Sequence, residues 1–409
     1  MPPEHPVGSQ RFLVRQSLLD GDYRVVGYEL GLRDRVPVPV LPGAESHEQA
    51  RDEYLITSVI DLEYQRALGS LLTLLDLAPT TLYNPMLAEL PAGKLAVTVP
   101  LSFGDLTGRC PVLIDLGIQP ILVDDGAALL AALPAGCVWS RLDCARHDAV
   151  TLGKRAEHLR RLGVQHLIAA NVDSEETLAV CRKLGFERFQ GRFLSQPRRS
   201  AARKLESNVV QVMDLLNLAR ARAPIEQLED AFKRNAALTY RLLRYINSPA
   251  NGLDRSMQSI GQALMWLGHE PLYRWLTLLL FSSERTDGRG SALLRNALVR
   301  ARFMENLGAE RLDRSLRGGL FIVGILSQLD ALLDMPLAEA VVPLHLPAPM
   351  AEALLEGKGP YAPYLILARA CENFDQEAVE RQAQSNQLSA TEVNLAHVNA
   401  LVWSETLEK

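Results

Sequence analysis

The first half of the chain alternates short β-rich runs with segments of helical periodicity, and this alternation restricts the fold more than any other feature. Two apolar strands, at 12–19 and 24–32, are joined by the turn Asp20-Gly21-Asp22. Further β-rich runs are predicted at 80–84, 95–99, 120–124, 137–142 and 164–170, and helices at 48–68, 148–162 and 174–184. Such alternation favours a parallel βα barrel over an open sheet. No GxGxxG follows any of these strands, so a dinucleotide-binding fold has no support.

The second half of the chain has helical periodicity throughout. Its first predicted helix carries Val209, Val212 and Leu216 on one apolar face, and the short loops that follow are typical of a compact α bundle. The polar, basic segment after Pro197 is predicted to be a solvated linker; a nucleic-acid patch is disfavoured because no aromatic residues interleave its charges. The predicted division is a flexible tail at 1–10, a barrel at 11–198, a linker at 199–206 and a helical domain at 207–400.

Composition narrows the class of protein. The chain has 409 residues, enough for two cores, and a net charge of −5, which disfavours broad binding to a nucleic-acid backbone. Its five cysteines are scattered without a CxxC pair, so neither a disulfide framework nor a zinc site is expected. The N-terminus lacks the pattern of a signal peptide, and no apolar run approaches the roughly 20 residues of a membrane span. A cytoplasmic protein without a membrane anchor is therefore predicted.

Polar residues that could carry chemistry stand at the predicted strand ends. They are Glu29, Asn84, the pair Asp124 and Asp125, Arg141 with Asp143, and Asn171 with Asp173. In a parallel barrel such ends converge on one mouth, where gathered oxygen ligands could hold hard cations and a phosphodiester. The alternative for each Asp or Asn is a helix N-cap, because a loop between a strand and a helix normally ends on such a residue.

This ordered set resembles the EAL-domain family of cyclic di-GMP phosphodiesterases over about residues 12 to 197. Arg15-Gln16 followed by Gly27-Tyr28-Glu29-Leu30-Gly31-Leu32-Arg33 is similar to the family's opening strands, and 185–191, which contains Gln190, is similar to its closing segment. The resemblance implies metal-ligand positions at Glu29, Asn84, Asp124 and Asp125, and a ligand-contacting position at Arg33.

Departures from the family pattern fall on the groups that the reaction needs. Thr98 stands where the family has a metal-binding Glu, Arg141 stands at its essential Lys, Ala170 replaces another acid, and Asp173 shortens the next one. Each lost carboxylate removes a ligand charge, and a guanidinium is no tunable proton-transfer group. The catalytic set is thus reduced to a remnant, Glu29, Asn84, Asp124, Asp125, Arg141 and Asp173, in which Glu29, Asn84 and Asp124 are the remnant metal ligands.

The helical half resembles the HDOD family, an all-helical relative of the HD phosphohydrolases, over about residues 207 to 399. The segments 235–248 and 259–268 carry the match. At the position of the HD metal-binding dyad the chain reads Ser327-Gln328, which lacks both imidazole and charge, so no metal is expected there. The one literal His-Asp dipeptide, His147-Asp148, falls at a predicted helix start, where Asp148 is interpreted as a cap.

Loss of key groups in both ancestral sites, with both apolar frameworks kept, predicts a bacterial signalling protein that is non-catalytic and acts through regulatory protein partners. Cyclic di-GMP sensing is a further predicted role, in which Gln16, Arg33 and Gln190 would contact the nucleotide without a metal. The alternative is a weakly active cyclic di-GMP phosphodiesterase using Mg²⁺ or Mn²⁺; otherwise no cofactor is expected. Homo-oligomerisation stays open, and partnership with nucleic acid is disfavoured.

Overall fold

The computed structural model describes residues 12–33, 47–60, 71–91, 94–126, 130–198, 205–251, 257–281, 288–373 and 375–406. The predicted tail at 1–10 and most of the predicted linker, 199–204, lie outside these residues.

Eight strands close into a barrel in the order β1 to β8. They are β1 (Phe12–Asp20), β2 (Val25–Arg33), β3 (Leu72–Leu75), β4 (Leu95–Pro100), β5 (Ile118–Val123), β6 (Trp139–Asp143), β7 (His166–Ala170) and β8 (Arg188–Phe189). Strand β1 is antiparallel to both of its neighbours, whereas every other pair is parallel. The predicted fold class, a βα barrel followed by a helical domain, is confirmed.

The hairpin between β1 and β2 explains the antiparallel start. The Asp20 carboxylate accepts hydrogen bonds from the backbone N–H groups of Asp22 and Arg24, at 2.9 and 2.8 Å, which closes a tight Asx turn. The chain therefore reverses at this turn, and β2 pairs directly with β1 without an intervening helix. The later strands run parallel because each connection crosses over outside the barrel.

The barrel helices are α1 (His47–Ile60), α2 (Leu106–Asp115), α3 (Ala149–Leu162) and α4 (Glu175–Lys183). Helices α3 and α4 begin at side-chain caps, since Asp148 accepts from Thr151 N and Ser174 accepts from Thr177 N. The predicted strand at 80–84 is wrong: this segment forms the 3₁₀ helix Thr81–Tyr83, and the true strand is β3, a few residues earlier.

Five short helices open the second domain, as the apolar periodicity predicts: α5 (Ser207–Arg220), α6 (Ile225–Lys233), α7 (Ala236–Ile246), α8 (Ile260–Leu267) and α9 (His269–Phe281). Eight more follow: α10 (Arg289–Gly308), α11 (Arg314–Leu326), α12 (Leu329–Leu333), α13 (Leu337–Ala340), α14 (Ala348–Leu355), α15 (Ala362–Glu372), α16 (Gln376–Ser385) and α17 (Ala390–Thr406). Within the described residues one stretch, Arg314–Leu333, is long and apolar enough to span a membrane, but 72% of it is buried inside the fold. Helices α11 and α12 are thus core elements of this domain.

The two domains share a polar, largely buried contact along β1. Helices α15, α16 and α17 all pack on this strand. Arg289, at the start of α10, is completely buried and donates to the carbonyl oxygen of Gln196 at 2.6 Å and to the Asp334 carboxylate at 2.9 Å. Gly288, just before it, has a φ of +71°, and an added Cβ would lie 2.0 Å from the Asp22 carbonyl oxygen. The second domain is therefore fitted closely to the first hairpin.

Candidate functional site

Two layers of inward-facing side chains fill the barrel, and the upper one is polar. The lower layer is apolar and contains Leu18, Leu74, Ala96, Ile121 and Ile168. Because strand side chains alternate between faces, the residues two positions away face inward at the next level. These are Gln16, Asp76, Thr98, Val123 and Ala170, together with Arg141, which lies two positions after the inward-facing Trp139. The apolar floor thus supports a polar mouth.

A cavity of about 330 Å³ opens at this mouth. Its lining residues are Gln16, Glu29, Val123, Asp124, Asp125, Arg141, Asp143, Arg146, Ala170, Asn171 and, from the helical domain, Asn373. The structure therefore brings together six of the polar strand-end residues that the sequence singled out, and it adds one side chain from the second domain.

Glu29 lies at the centre of the mouth, and both of its carboxylate oxygens are hydrogen-bonded. Arg141 Nη1 donates to Glu29 Oε1 at 2.6 Å, and Gln190 Nε2 donates to Glu29 Oε2 at 2.9 Å. Glu29 is 6% exposed and Gln190 is completely buried. A carboxylate held in this way is a strong, charge-assisted acceptor with a fixed orientation.

Arg141 is the cation of the site. Burial alone would lower its pKa, but the carboxylates of Glu29, Asp76 and Asp143 outweigh burial and raise the pKa above its ordinary value. The guanidinium therefore stays charged and compensates several acids at once. It occupies the position at which the sequence places the family's lysine.

Asp76 is a mouth residue that sequence reasoning missed. It follows β3 directly, accepts a hydrogen bond from Thr98 Oγ1 at 2.8 Å and acts electrostatically on Arg141. The sequence does contain a signal for Asp76, because it directly follows an apolar run, as Asp124 does at another strand end. The leucine-rich run before it reads equally well as helix, and this ambiguity hid the strand.

Asn84 lies elsewhere, so the structure corrects its assignment to the strand-end set. Its Nδ2 donates to Glu53 Oε1 at 2.7 Å, and its Oδ1 accepts from the Met86 backbone N–H at 2.9 Å. It caps the 3₁₀ helix Pro85–Glu89, and it is not among the residues that line the cavity. Asn84 is therefore a helix N-cap, the alternative given above for each Asp or Asn of the set.

Asp124 is buried, and basic side chains around α3 bind it. Arg155 Nη1 lies 2.9 Å from its Oδ1, and His147 Nε2 lies 3.2 Å from its Oδ2. Its Oδ1 also accepts from the Gly126 backbone N–H at 3.0 Å. Asp124 thus has three partners, which together anchor the loop after β5 to the following helix.

The two remaining acids of the remnant set, Asp125 and Asp173, also accept hydrogen bonds from neighbouring residues. Asp125 accepts from the Ser102 hydroxyl and from the Ser102 backbone N–H. Asp173 pairs with Arg192, whose Nη2 lies 2.6 Å from its Oδ2; burial raises the pKa of Asp173, but the Arg192 hydrogen bonds outweigh it and lower the pKa overall. Asp173 is not among the cavity-lining residues.

The three predicted ligand contacts have different positions. Gln16 lines the cavity and pairs in register with Glu29. Gln190 is buried behind Glu29 and orients that carboxylate. Arg33 ends β2 opposite Phe12, and its side chain is outside the described residues.

Divalent metal ions do not fit the donor set of the mouth in this arrangement. Both carboxylate oxygens of Glu29 already accept hydrogen bonds, from Arg141 and Gln190, and both of Asp124 contact Arg155, His147 or Gly126. Over the ranges that the structure describes, no three His, Cys, Asp or Glu side chains form a group able to hold a metal. A divalent ion at Glu29 or Asp124 would have to bind beside an arginine that already neutralises the carboxylate.

At the dyad position of the second domain, Ser327 and Gln328 are buried in a polar cluster around Arg300. Arg300 Nη1 donates to Ser327 Oγ at 2.6 Å, and Arg300 Nε donates to Glu372 Oε1 at 3.1 Å. Glu372 Oε1 also lies 3.8 Å from Arg15 Nη2 on β1. At this position a buried guanidinium therefore binds Ser327 and Glu372, and Glu372 in turn lies near Arg15 of the barrel.

Comparison with known proteins supports the two-domain organisation. Residues 204–340 match the HDOD domain. In fold, the first half is similar to the FimX EAL domain of Pseudomonas aeruginosa in a structure bound to c-di-GMP, with 17% identity, a TM-score of 0.34, and coverage of 48% of this chain and 94% of that one. The chain thus has an eight-stranded barrel followed by a helical domain that matches the HDOD model, in the order that the sequence motifs predict.

Two relatives match nearly the full length. The protein YuxH of Bacillus subtilis (strain 168) is 25% identical over 97% of this chain and 98% of its own length. The cyclic di-GMP phosphodiesterase CdgJ of Vibrio cholerae serotype O1 is 23% identical over 97% of this chain and 93% of its own length. Both matches extend over nearly the whole chain, across the barrel and the helical domain.

Proposed function

We propose that this chain is a regulatory protein of cyclic di-GMP signalling whose barrel does not hydrolyse the nucleotide and whose output passes through contacts with other proteins. The observation that carries the proposal is the Arg141–Glu29 pair at 2.6 Å. A hydrolytic EAL-like site needs Glu29 as a metal ligand, and here a permanently charged guanidinium occupies that carboxylate.

The energetic reason is the competition between two cations for one carboxylate. Arg141 is covalently part of β6, so it competes at a high effective concentration with any dissolved ion. Removing it from Glu29 would leave a buried guanidinium and a buried carboxylate without their main partners, at a cost of about 3 kcal/mol or more. A divalent ion would have to recover this cost with fewer carboxylates than the family offers.

A hydrolysis assay tests the proposal. Purified full-length protein with cyclic di-GMP and Mg²⁺ or Mn²⁺ is expected to release no linear product above the level of its Glu29→Gln variant. The double substitution Arg141→Lys with Thr98→Glu, which restores two family groups, is the matched gain-of-function control. Turnover by the wild-type chain that disappears in Glu29→Gln would overturn the proposal and establish the alternative, a weakly active phosphodiesterase.

Cyclic di-GMP recognition without cleavage is a second candidate. It is supported by the open cavity, in which Gln16, Arg146 and Asn171 offer hydrogen-bond groups, and by the structural relative whose EAL domain is bound to c-di-GMP. The acids at the mouth are already compensated by arginines, which lowers the repulsion of a phosphate. Calorimetric titration with and without Mg²⁺ tests it, and absence of heat at high micromolar nucleotide would remove this candidate.

Exposed apolar side chains on the helical domain support the protein-contact part of the proposal. Tyr240 on α7 and Met265 and Trp266 on α8 are 65, 67 and 44% exposed, and these two helices pack against each other. Exposed aromatic side chains of this size are enriched at interfaces. Affinity capture should recover a specific partner with the wild-type chain and lose it with Tyr240→Ala or Trp266→Ala, whereas Val150→Ala, an equally exposed site on the barrel, should leave capture unchanged.

A further inference from the structure

Two thiols meet at the rim of the barrel mouth. Cys144 comes directly after β6, next to the cavity-lining Asp143, and Cys181 lies on α4. Their sulfur atoms are 3.4 Å apart and share a hydrogen bond. Cys144 is half-buried, whereas Cys181 is completely buried, so the pair has one face toward solvent and one toward the core.

The backbone of Cys144 is hydrogen-bonded to a residue that lines the cavity. Its N–H donates to the carbonyl oxygen of Ala170 at 2.9 Å, across the ends of β6 and β7. Asp143 and Ala170, the two residues involved in this junction, both line the cavity. A change in the backbone position of Cys144 would therefore change the positions of two cavity-lining residues.

We propose that Cys144 and Cys181 form a reversible disulfide when a hydroperoxide reaches the barrel mouth, and that this pair is a redox-modification site of the protein. One thiolate attacks a peroxide oxygen, the O–O bond breaks, and a sulfenic acid and hydroxide form. The second thiol then displaces the hydroxyl group of the sulfenic acid as water, and the S–S bond closes. In total, two thiols and one hydrogen peroxide give one disulfide and two waters.

The geometry and the environment of the pair favour this reaction. A disulfide requires about 2.0 Å between the sulfurs, so they need to approach by little more than 1 Å, a shift that side-chain rotation can supply. The hydrogen bond between the two thiols lowers the pKa of Cys181 and raises that of Cys144, so the thiolate of the pair resides on Cys181 while Cys144 supplies the proton and the access to solvent. Transient, catalytic or sensing disulfides are the kind that occur in reducing compartments.

The other cysteines of the chain provide an internal comparison. Cys110 and Cys137 also form a thiol–thiol hydrogen bond, but they are 0 and 2% exposed. Cys371 is 1% exposed, in the helical domain. Cys144 is thus the most accessible of the five cysteines, and oxidation of the folded protein should start at its pair.

Peptide mapping tests the proposal on the full-length protein. The reduced chain is treated with hydrogen peroxide, blocked with an alkylating reagent and digested with trypsin, which places Cys144 in peptide 142–146 and Cys181 in peptide 162–182. We expect these two peptides to appear linked, about tenfold or more faster than any link between Cys110 and Cys137. Dithiothreitol should restore both free peptides.

The single variants distinguish a resolving pair from unspecific oxidation. In Cys181→Ser, Cys144 should proceed to the sulfinic acid, and in Cys144→Ser, Cys181 should stay reduced. Circular dichroism of the reduced variants verifies that they remain folded. Absence of the 144–181 link under conditions that sulfinylate Cys144, or a Cys110–Cys137 link forming equally fast, would overturn the proposal, because the latter indicates oxidation of unfolded chains.

Discussion

Arg15 Nε of β1 donates a hydrogen bond to His397 Nε2 of α17 at 2.7 Å, across the interface between barrel and helical domain. Because the guanidinium can only donate, this nitrogen of His397 must be the acceptor, and the proton resides on Nδ1, which faces the Leu13 carbonyl oxygen at 3.3 Å. His397 is therefore neutral in the folded protein, with both of its ring nitrogens used to join two domains.

This contact predicts that acid weakens the fold. Burial and the Arg15 charge lower the pKa of His397 to about 3, whereas an exposed histidine titrates near 6.5. Between these values the unfolded chain binds one more proton than the folded chain, so stability falls as the pH falls. From pH 7.5 to 5 the His397 contribution to the free energy of unfolding should drop by about 2 kcal/mol, measured by urea denaturation.

The matched variant for this prediction is His397→Gln, which can still accept from Arg15 but does not titrate. Its unfolding free energy should lose that part of the pH dependence, whatever its absolute stability. An identical pH slope in the wild type and the variant would show that His397 is not the titrating group.

Substitution of Arg141 by alanine should be strongly destabilising. It leaves the buried Glu29 carboxylate with Gln190 as its remaining described hydrogen-bond partner, and breaking a buried pair from one side costs about 3 kcal/mol. The control is Arg146→Ala at the same mouth, because Arg146 is 56% exposed and pairs with Asp143 at 3.3 Å. That exposed pair should contribute less than about 1 kcal/mol in the same denaturation experiment. Equal losses in both variants would argue against the central role of the Arg141–Glu29 pair.

Arg289→Leu should uncouple the two domains. The wild-type side chain joins the carbonyl oxygens of Leu194 and Gln196, at the end of the barrel, to the Asp334 carboxylate of the helical domain. Its loss leaves Asp334 without its main cation, and we expect about 3 kcal/mol of destabilisation. Calorimetry should resolve separate transitions for barrel and helical domain in this variant. A single, merely lowered transition would show that other contacts suffice to couple the domains.

Asp76 and Asn84 should respond differently to substitution. Asp76→Asn removes a negative charge that acts on Arg141, so it should strengthen the binding of the anionic cyclic di-GMP at the mouth. Asn84→Ala should cost about 1 kcal/mol of stability, as expected for a lost helix cap, and leave such binding unchanged. Titration and denaturation of both variants decide the point, and a binding defect in Asn84→Ala would restore this residue to the mouth.

Much of the architecture could be predicted from sequence because it depends on local patterns. The helix start at Asp148 and the hairpin at Asp20 follow from capping and turn chemistry within a few residues. The strand β3 was missed because four residues of leucine and threonine do not distinguish strand from helix. This one ambiguity hid the strand end at Asp76 and led to the prediction that Asn84 ends a strand.

The site itself depends on contacts between residues far apart in the chain. Sequence reasoning identified Glu29 and Arg141 as unusual, but nothing local shows that residues 112 positions apart form a 2.6 Å pair. His397 gave no signal at all, since a lone histidine on a helix is usually a surface or core residue. Its role becomes visible only when α17 is packed on β1.

Strand β1 contacts both the cavity and the helical domain, and adjacent residues on a strand point in opposite directions. Gln16 faces the cavity, while Arg15, one residue earlier, contacts His397 and Glu372. The side chain that faces the cavity and the side chain that joins the domains are therefore adjacent residues of one strand. A ligand bound at Gln16 would lie one residue away from the contacts of Arg15 with the helical domain.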